Sequence, residues 1–146
     1  MQYRYSTNDD IKAINSLNKA VLPENYDRKT YEVHMELYPT LNWVAVSDVN
    51  QQITGYVLTQ VEDKVEAHIT SIAVDPNHRR KGIGKRLLLN ALIAAKKMYL
   101  LSCSLHVRVS NEAAINLYES LNFNKIRVKE KYYADGENAY LMRRQL

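Results

Sequence analysis

ITSIAVDPNHRRKGIGKRLL, running from Ile69 to Leu88, is the stretch from which the fold can be read. A β-rich run ends at Val74 and Asp75-Pro76 turns the chain. Arg79-Arg80-Lys81 then leads into Gly82-Ile83-Gly84, and a helical pattern begins at once. Glycines ahead of a helix let the backbone come close to a ligand, and the free N–H groups of the first turn point at it. Those amides, the helix dipole and the adjacent cations favour an anion. Arg79, Arg80, Lys81, Gly82, Ile83, Gly84 and Lys85 therefore read as a diphosphate cradle.

What is missing narrows the choice of diphosphate. A P-loop needs GxxxxGK[ST], but Gly84-Lys85 is followed by Arg86 and the first glycine is absent. A dinucleotide fingerprint needs a third glycine where Leu87 stands, and an acidic ribose reader about 20 residues on. Leu101, Ser102, Cys103 and Ser104 lie there instead. The surviving pattern is Arg/Gln-x-x-Gly-x-Gly/Ala, and it resembles the acetyl-CoA pyrophosphate loop of the GNAT acetyltransferases. A lone GxG also fits a basic, solvated helix start. The strand before it and the long helix after it favour the cofactor loop.

With 146 residues the chain is long enough for one domain, 1–146, around a single core, and 46% hydrophobic with 25% charged residues is ordinary globular composition. No apolar run approaches a membrane span, and MQYRYSTNDD lacks the apolar stretch of a secretory signal. One cysteine, Cys103, rules out an internal disulfide and fits a reducing cytoplasm, the expected location. A net charge of +4 could suggest nucleic acid, but much of the excess sits in Arg79, Arg80, Lys81, Lys85 and Arg86. No basic stripe carries interleaved aromatics, so no specific nucleic acid is expected, and none of the four histidines shows metal-site spacing. Trp43 and Phe123 read as core.

Along the chain, residues 2–5 predict a short strand, and Thr7 or Asn8 caps a helix through about Leu22. Arg28–Tyr38 predicts a second helix. Three strands follow at Asn42–Ser47, Ile53–Val61 and Val65–Val74. Then come helix Gly82–Tyr99, strand Ser104–Val109, helix Glu112–Leu121, and strands near 124–130 and 139–144. Strand, helix and strand from Val65 to Val109 form a βαβ unit, so those two strands should be parallel with a right-handed crossover. The class is α/β (α+β): a mixed, twisted, mostly antiparallel sheet with one parallel pair and helices on both faces.

Four blocks carry a closer resemblance: Leu22-Pro23-Glu24-Asn25-Tyr26, His68-Ile69-Thr70-Ser71-Ile72-Ala73-Val74, Leu105-His106-Val107-Arg108-Val109-Ser110-Asn111, and Lys131-Tyr132-Tyr133-Ala134-Asp135-Gly136-Glu137. From Leu22 to Leu146 the chain is similar to one GNAT branch, the catalytic subunit of the NatA N-terminal acetyltransferase and its archaeal relatives. The resemblance implies transfer of acetyl from acetyl-CoA to a protein α-amine, through a ternary complex with direct attack and no metal. It implies Glu24 beside the substrate amine, His68 and His106 handling its proton, and Tyr118 protonating the leaving thiolate. Asn111 would bond the pantetheine, with Ile72, Ala73 and Val74 pairing to it by backbone groups. Leu22, Pro23 and Tyr26 would shape the first-residue pocket, Thr70 beside His68 would bind substrate, and Tyr132 and Tyr133 would clamp the peptide. Protein N-termini are the expected substrate, and a ribosome or auxiliary-subunit contact stays open.

Residue chemistry alone leaves alternatives. His68 and His106 share a strand face with Thr70, Ser104 and Arg108, which suits proton acceptors but also satisfied structural histidines. Glu24 could be a surface carboxylate, Tyr118 a core residue packed at helical spacing on Ala114 and Leu121, and Tyr132-Tyr133 hairpin aromatics. The rival functions are a RimI-like ribosomal-protein, lysine or small-amine acetyltransferase and, further off, a module that binds acyl-CoA without turnover.

Overall fold

Ile83, Leu87, Leu88, Ala91, Leu92, Ala94 and Ala95 recur at helical spacing, and α3 (Ile83–Lys97) buries all seven. In the computed structural model, which describes residues 1–146, this helix links strands β4 (Glu66–Val74) and β5 (Ser102–Arg108). These two strands are parallel, as the βαβ pattern requires. The other strands are β1 (Gln2–Tyr5), β2 (Trp43–Val46), β3 (Ile53–Glu62), β6 (Asn124–Lys129) and β7 (Ala139–Gln145). They join one seven-stranded sheet in the order β1-β2-β3-β4-β5-β7-β6, with every other pairing antiparallel.

Helices cover both faces. α1 (Ile11–Val21) and α2 (Arg28–Leu37) bury Ile11, Ile14, Leu17, Tyr31 and Met35 against Val44, Val46, Tyr56, Leu58 and Ala73. α3 and α4 (Glu112–Ser120) close the other face over Ala45, Val57, Ala67, Ile69, Leu105, Val107 and Met142. Gly55 of β3 is the close-approach point. A Cβ there would stand 3.1 Å from both Ile83 and Leu87 side chains and 3.2 Å from the Ala73 carbonyl. Glycine lets α3 seat this near the sheet without displacing either side chain.

Two departures in β4 build the cleft. Leu58 pairs with Ser71 and Thr59 with Ile69, so Thr70 bulges from the ladder. The bulge resets the alternation and puts Ile69, Ile72 and Val74 all toward α3. Parallel pairing with β5 stops after Glu66–Ser102, Ala67–Cys103 and His68–Ser104. Beyond His68 the two strands separate, and one edge of β4 loses its strand partner.

The elements expected from sequence are present, with shifted ends. The first helix opens as a 3-10 turn (Asn8–Asp10), because the Asp10 carboxylate takes the Thr7 N–H at 2.8 Å and pairs with Arg4. β5 starts two residues earlier than predicted, at Ser102, whose hydroxyl donates to Glu66 at 2.9 Å. Phe123 is buried as expected, but Trp43 is only half-buried, its ring 4.4 Å from that of Tyr5 on the edge of the sheet.

Candidate active site

At one end of the separated strands lies the glycine turn. Gly82 caps α3 with φ of 76°, a left-handed conformation that places the helix amides outward, and Arg80 is also left-handed at 63°. A Cβ on Gly82 would meet nothing within 4 Å, and one on Gly84 would make only ordinary contact with Val74 and Leu117. The space beside Gly82 is therefore open, whereas beside Gly84 the Val74 and Leu117 side chains already stand at contact distance. No acidic side chain stands in that turn, and Arg79, Arg80, Lys81 and Lys85 are all exposed around it. Arg79 reaches back to the Val74 carbonyl at 3.4 Å. Asn111 caps α4 by accepting the Ala114 N–H at 3.2 Å, which leaves its amide NH₂ for another acceptor. Tyr118 is buried, with its ring 6.1 Å from Phe123, and burial pushes its hydroxyl up to about 12, so it holds its proton at neutral pH.

At the other end, His68 and His106 meet with ring centroids 5.1 Å apart. His68 Nδ1 is 2.8 Å from the Ser104 hydroxyl and 4.0 Å from Glu62. His106 stacks on Tyr132 at 4.4 Å, its Nδ1 lies 3.3 Å from the Tyr132 hydroxyl, and its Nε2 is buried without a partner. Burial holds both imidazoles below their ordinary range. Lys129, His68 and Arg127 add to the effect on His106 and bring it to about 4, whereas Glu62 and Glu66 oppose it on His68. Both rings are therefore neutral at physiological pH, and the acidic neighbours Glu62 and Glu66 stand on the His68 side.

Two loops roof this end. The first carries Leu22, Pro23, Glu24 and Tyr26. It is held by Asn18 Nδ2 donating to the Glu24 carbonyl at 3.0 Å and by the Tyr26 hydroxyl donating to the Thr70 carbonyl at 3.1 Å. Asn18 also donates to Tyr56, whose hydroxyl bonds Ser71 at 2.8 Å, so the loop is tied through α1 to the floor of the sheet. The second loop carries Tyr132 and Tyr133, rings perpendicular at 5.0 Å. Arg108 joins them. Its guanidinium pairs with Glu24 at 2.8 Å, Asp135 at 2.8 Å and Glu137 at 2.9 Å, and lies 4.1 Å over the Tyr133 ring. Hydrogen bonds to Glu137, then Glu24 and Asp135, hold it firmly protonated.

The residues expected from sequence thus fall into two groups along β4: His68, His106, Glu24, Tyr132 and Tyr133 are drawn together through Arg108 and their ring contacts, and the glycine turn with Ile72, Ala73 and Val74 lies toward the strand's other end. Burial, and next the charge of Glu24, hold the Tyr133 hydroxyl well above its ordinary range. Sequence reasoning missed the central part of Arg108, which it placed only as a neighbour of His106. It also missed His34, buried in α2 with Nδ1 3.1 Å from the Thr59 carbonyl and Nε2 3.2 Å from the Thr70 hydroxyl, on both sides of the bulge. Neither has a local signature; the signal for Arg108 was a cation at a sheet position facing two acidic loop residues.

The sequence profile of the acetyltransferase (GNAT) family matches residues 11–123. The chain belongs to that family. Within it, the chain is similar to N-alpha-acetyltransferases. It is 45% identical to the N-terminal acetyltransferase A complex catalytic subunit NAA10 of Arabidopsis thaliana, over 98% of this chain and 77% of that protein. The crystal structure of Ard1 from Thermoplasma volcanium superposes with a TM-score of 0.91 at 28% identity, covering 99% of this chain and 97% of the other. A chain of the NatB acetyltransferase complex bound to CoA and MES gives 0.88 at 27% identity, covering 100% and 99%.

Proposed function

We propose that this protein transfers the acetyl group of acetyl-CoA to the α-amino group of protein N-termini, by direct attack of the amine within a ternary complex. The observation that carries the reading is the separation of β4 from β5 after His68, which joins an anion-binding helix start to a cleft built around a carboxylate and two neutral histidines. Gly82, Gly84 and the cations around them fit the diphosphate, and the free β4 edge fits the pantetheine amides. Bound there, acetyl-CoA supplies the activated thioester.

Each residue then has a task. Glu24 receives the incoming ammonium, exchanging part of its pairing with Arg108 for it. An α-amine with pKa near 8 is already partly deprotonated at neutral pH, so a modest acceptor suffices. His68 takes that proton, directly or through water, while His106 stays neutral and accepts a hydrogen bond. Backbone N–H groups around Ile72–Val74 face the developing oxyanion. Tyr118, protonated to about 12, delivers a proton to the leaving thiolate. Leu22, Pro23, Tyr26 and Thr70 surround the first side chain, and Tyr132 and Tyr133 hold the peptide backbone.

The tethering of the Leu22–Tyr26 loop by Asn18, Thr70 and Arg108, all in this chain, supports activity without an auxiliary subunit. We place the enzyme in the cytoplasm, where new N-termini emerge from ribosomes; no helix is long and apolar enough to cross a membrane. The test follows CoA release on peptides beginning Ser, Ala, Glu and Met-Leu, each free and N-acetylated, with the modified atom located by fragmentation. Turnover of free but not blocked peptides, with acetyl on the α-amine, is expected. Equal turnover of blocked peptides carrying lysine would reassign the acceptor, and acetyl-CoA binding with no turnover on any amine would point to a binding module.

A further inference from the structure

The open face of the β5–β7–β6 half of the sheet carries a charge pattern that the reaction itself does not use. Arg127 of β6 pairs with Leu141 of β7, which pairs with His106 of β5; Lys129, Ala139 and Arg108 form the next row. Directly opposed residues project from the same face, so Arg127 and Lys129 stand on the side of the sheet that bears His106 and Arg108. The Lys129 side chain reaches the cleft. Lys129 Nζ lies 5.6 Å from the Tyr132 ring, which itself stacks on His106, and both cations lower the proton affinity of His106.

The neighbouring cations are already satisfied. Arg108 is taken by Glu24, Asp135 and Glu137, and Arg143 by Glu66. Arg127 and Lys129 pair with no carboxylate. The carboxylates that face the histidines, Glu62 and Glu66, sit on the β3–β4 wall, and Glu24 on the roof. The cleft is therefore acidic where an ammonium would enter and basic along the edge strand beyond Tyr132. β6 is the outermost strand of the sheet on the Tyr132 side, so a polypeptide whose first residue lies under Glu24 and that leaves between the two roofing loops passes it.

Resting on the α-amine reading above, we propose that Arg127 and Lys129 form an exit subsite that selects acidic residues downstream of the first two positions of the substrate N-terminus. Edge-strand cations screen poorly paired edges in many sheets. Here, however, Lys125 on the same strand projects to the opposite face, over Tyr140 at 4.5 Å, so the face toward the cleft has its own two charges. Lys125 serves as the internal control.

The experiment compares kcat/KM for free peptides that share their first two residues and continue with either two glutamates or two lysines. The acidic peptide is expected to be preferred about fivefold or more, with the ratio shrinking toward one as salt rises. The Arg127→Glu, Lys129→Glu double variant should invert the ratio, while Lys125→Glu leaves it unchanged. Equal kcat/KM for the two peptides, a ratio insensitive to salt, or the same response from Lys125→Glu would overturn the subsite while leaving the α-amine acceptor in place. Absence of turnover on every free peptide would overturn the reading beneath it as well.

Discussion

Glu24 and Arg108, 84 residues apart in sequence, meet at 2.8 Å across the mouth of the cleft. Arg108 holds Asp135 and Glu137 at the same time, so a single side chain fixes the position of both roofing loops relative to β5. Replacing it with Met keeps the aliphatic stem and removes every ion pair. The expected result is a peptide KM raised at least tenfold, acetyl-CoA affinity within about twofold of wild type, and a stability loss of about 1–3 kcal/mol. Steady-state kinetics with each substrate varied, together with a thermal melt, check it. An unchanged peptide KM would mean the loops keep their places without the guanidinium.

The histidines give the pH dependence its sign. His34, His68 and His106 all have folded-state affinities for protons below the ordinary value of 6.5, so the unfolded chain binds more protons than the folded one as pH falls below it. Stability from these groups is complete above about pH 6.5 and is lost progressively on acidification, for His106 down to about 4. The carboxylates Asp10 and Glu66, held low by Arg4 and Arg143, add their loss only below their own ordinary range. Melting temperature measured from pH 8 to 4 should begin to fall near 6.5, and His106→Gln should make the fall between about 6.5 and 4 shallower, leaving the share of His34 and His68.

Tyr118 separates chemistry from packing. Phenylalanine preserves the ring against Phe123, so Tyr118→Phe is expected to leave stability within about 1 kcal/mol while kcat falls tenfold or more at constant peptide KM. Pre-steady-state CoA release reads the step directly. A variant with wild-type kcat would assign the tyrosine to the core alone.

The two glycines of the turn should respond differently. Gly82→Ala forces a side chain into φ of 76°, at a cost of about 1 kcal/mol, though a Cβ meets no neighbour. Gly84→Ala has no such strain and ordinary contacts, but its methyl stands at the start of α3, so the acetyl-CoA KM should rise severalfold with little change in melting temperature. Melts and cofactor titrations of the two variants distinguish backbone strain from ligand exclusion.

Much of the architecture was legible because it is written in local periodicity. Seven buried apolar positions at helical spacing define α3, and the βαβ order dictates the parallel pair. The bulge at Thr70 was legible in principle, since Ile69 and Ile72 face one way only if the alternation slips. The left-handed turn at Gly82 and the exposed cations around it could be read because glycine and cation spacing is local. What was not legible depends on contacts across the chain: Arg108 with three carboxylates, His34 between Thr59 and Thr70, and the Asn18–Tyr56–Ser71 chain beneath the first loop. Each of these residues looks like an ordinary strand or helix position until the sheet brings its partners within 3 Å or so. The 3-10 start of the first helix had the same origin, because Arg4 recruits Asp10 from the preceding strand.

The sheet has one weak seam. Its β1–β4 half and its β5–β7–β6 half are stitched at the ladder by three residue pairs only, from Glu66–Ser102 to His68–Ser104. A ligand lying in the gap beyond His68 would work as a wedge and a splint together, bracing two leaves of an open book. On that view, apo protein should breathe about this spine, with amides of Ile69–Val74 exchanging faster than those of β3. Each round of acyl transfer would then close and reopen the binding, so that the fold is at its most rigid only while the reaction is under way.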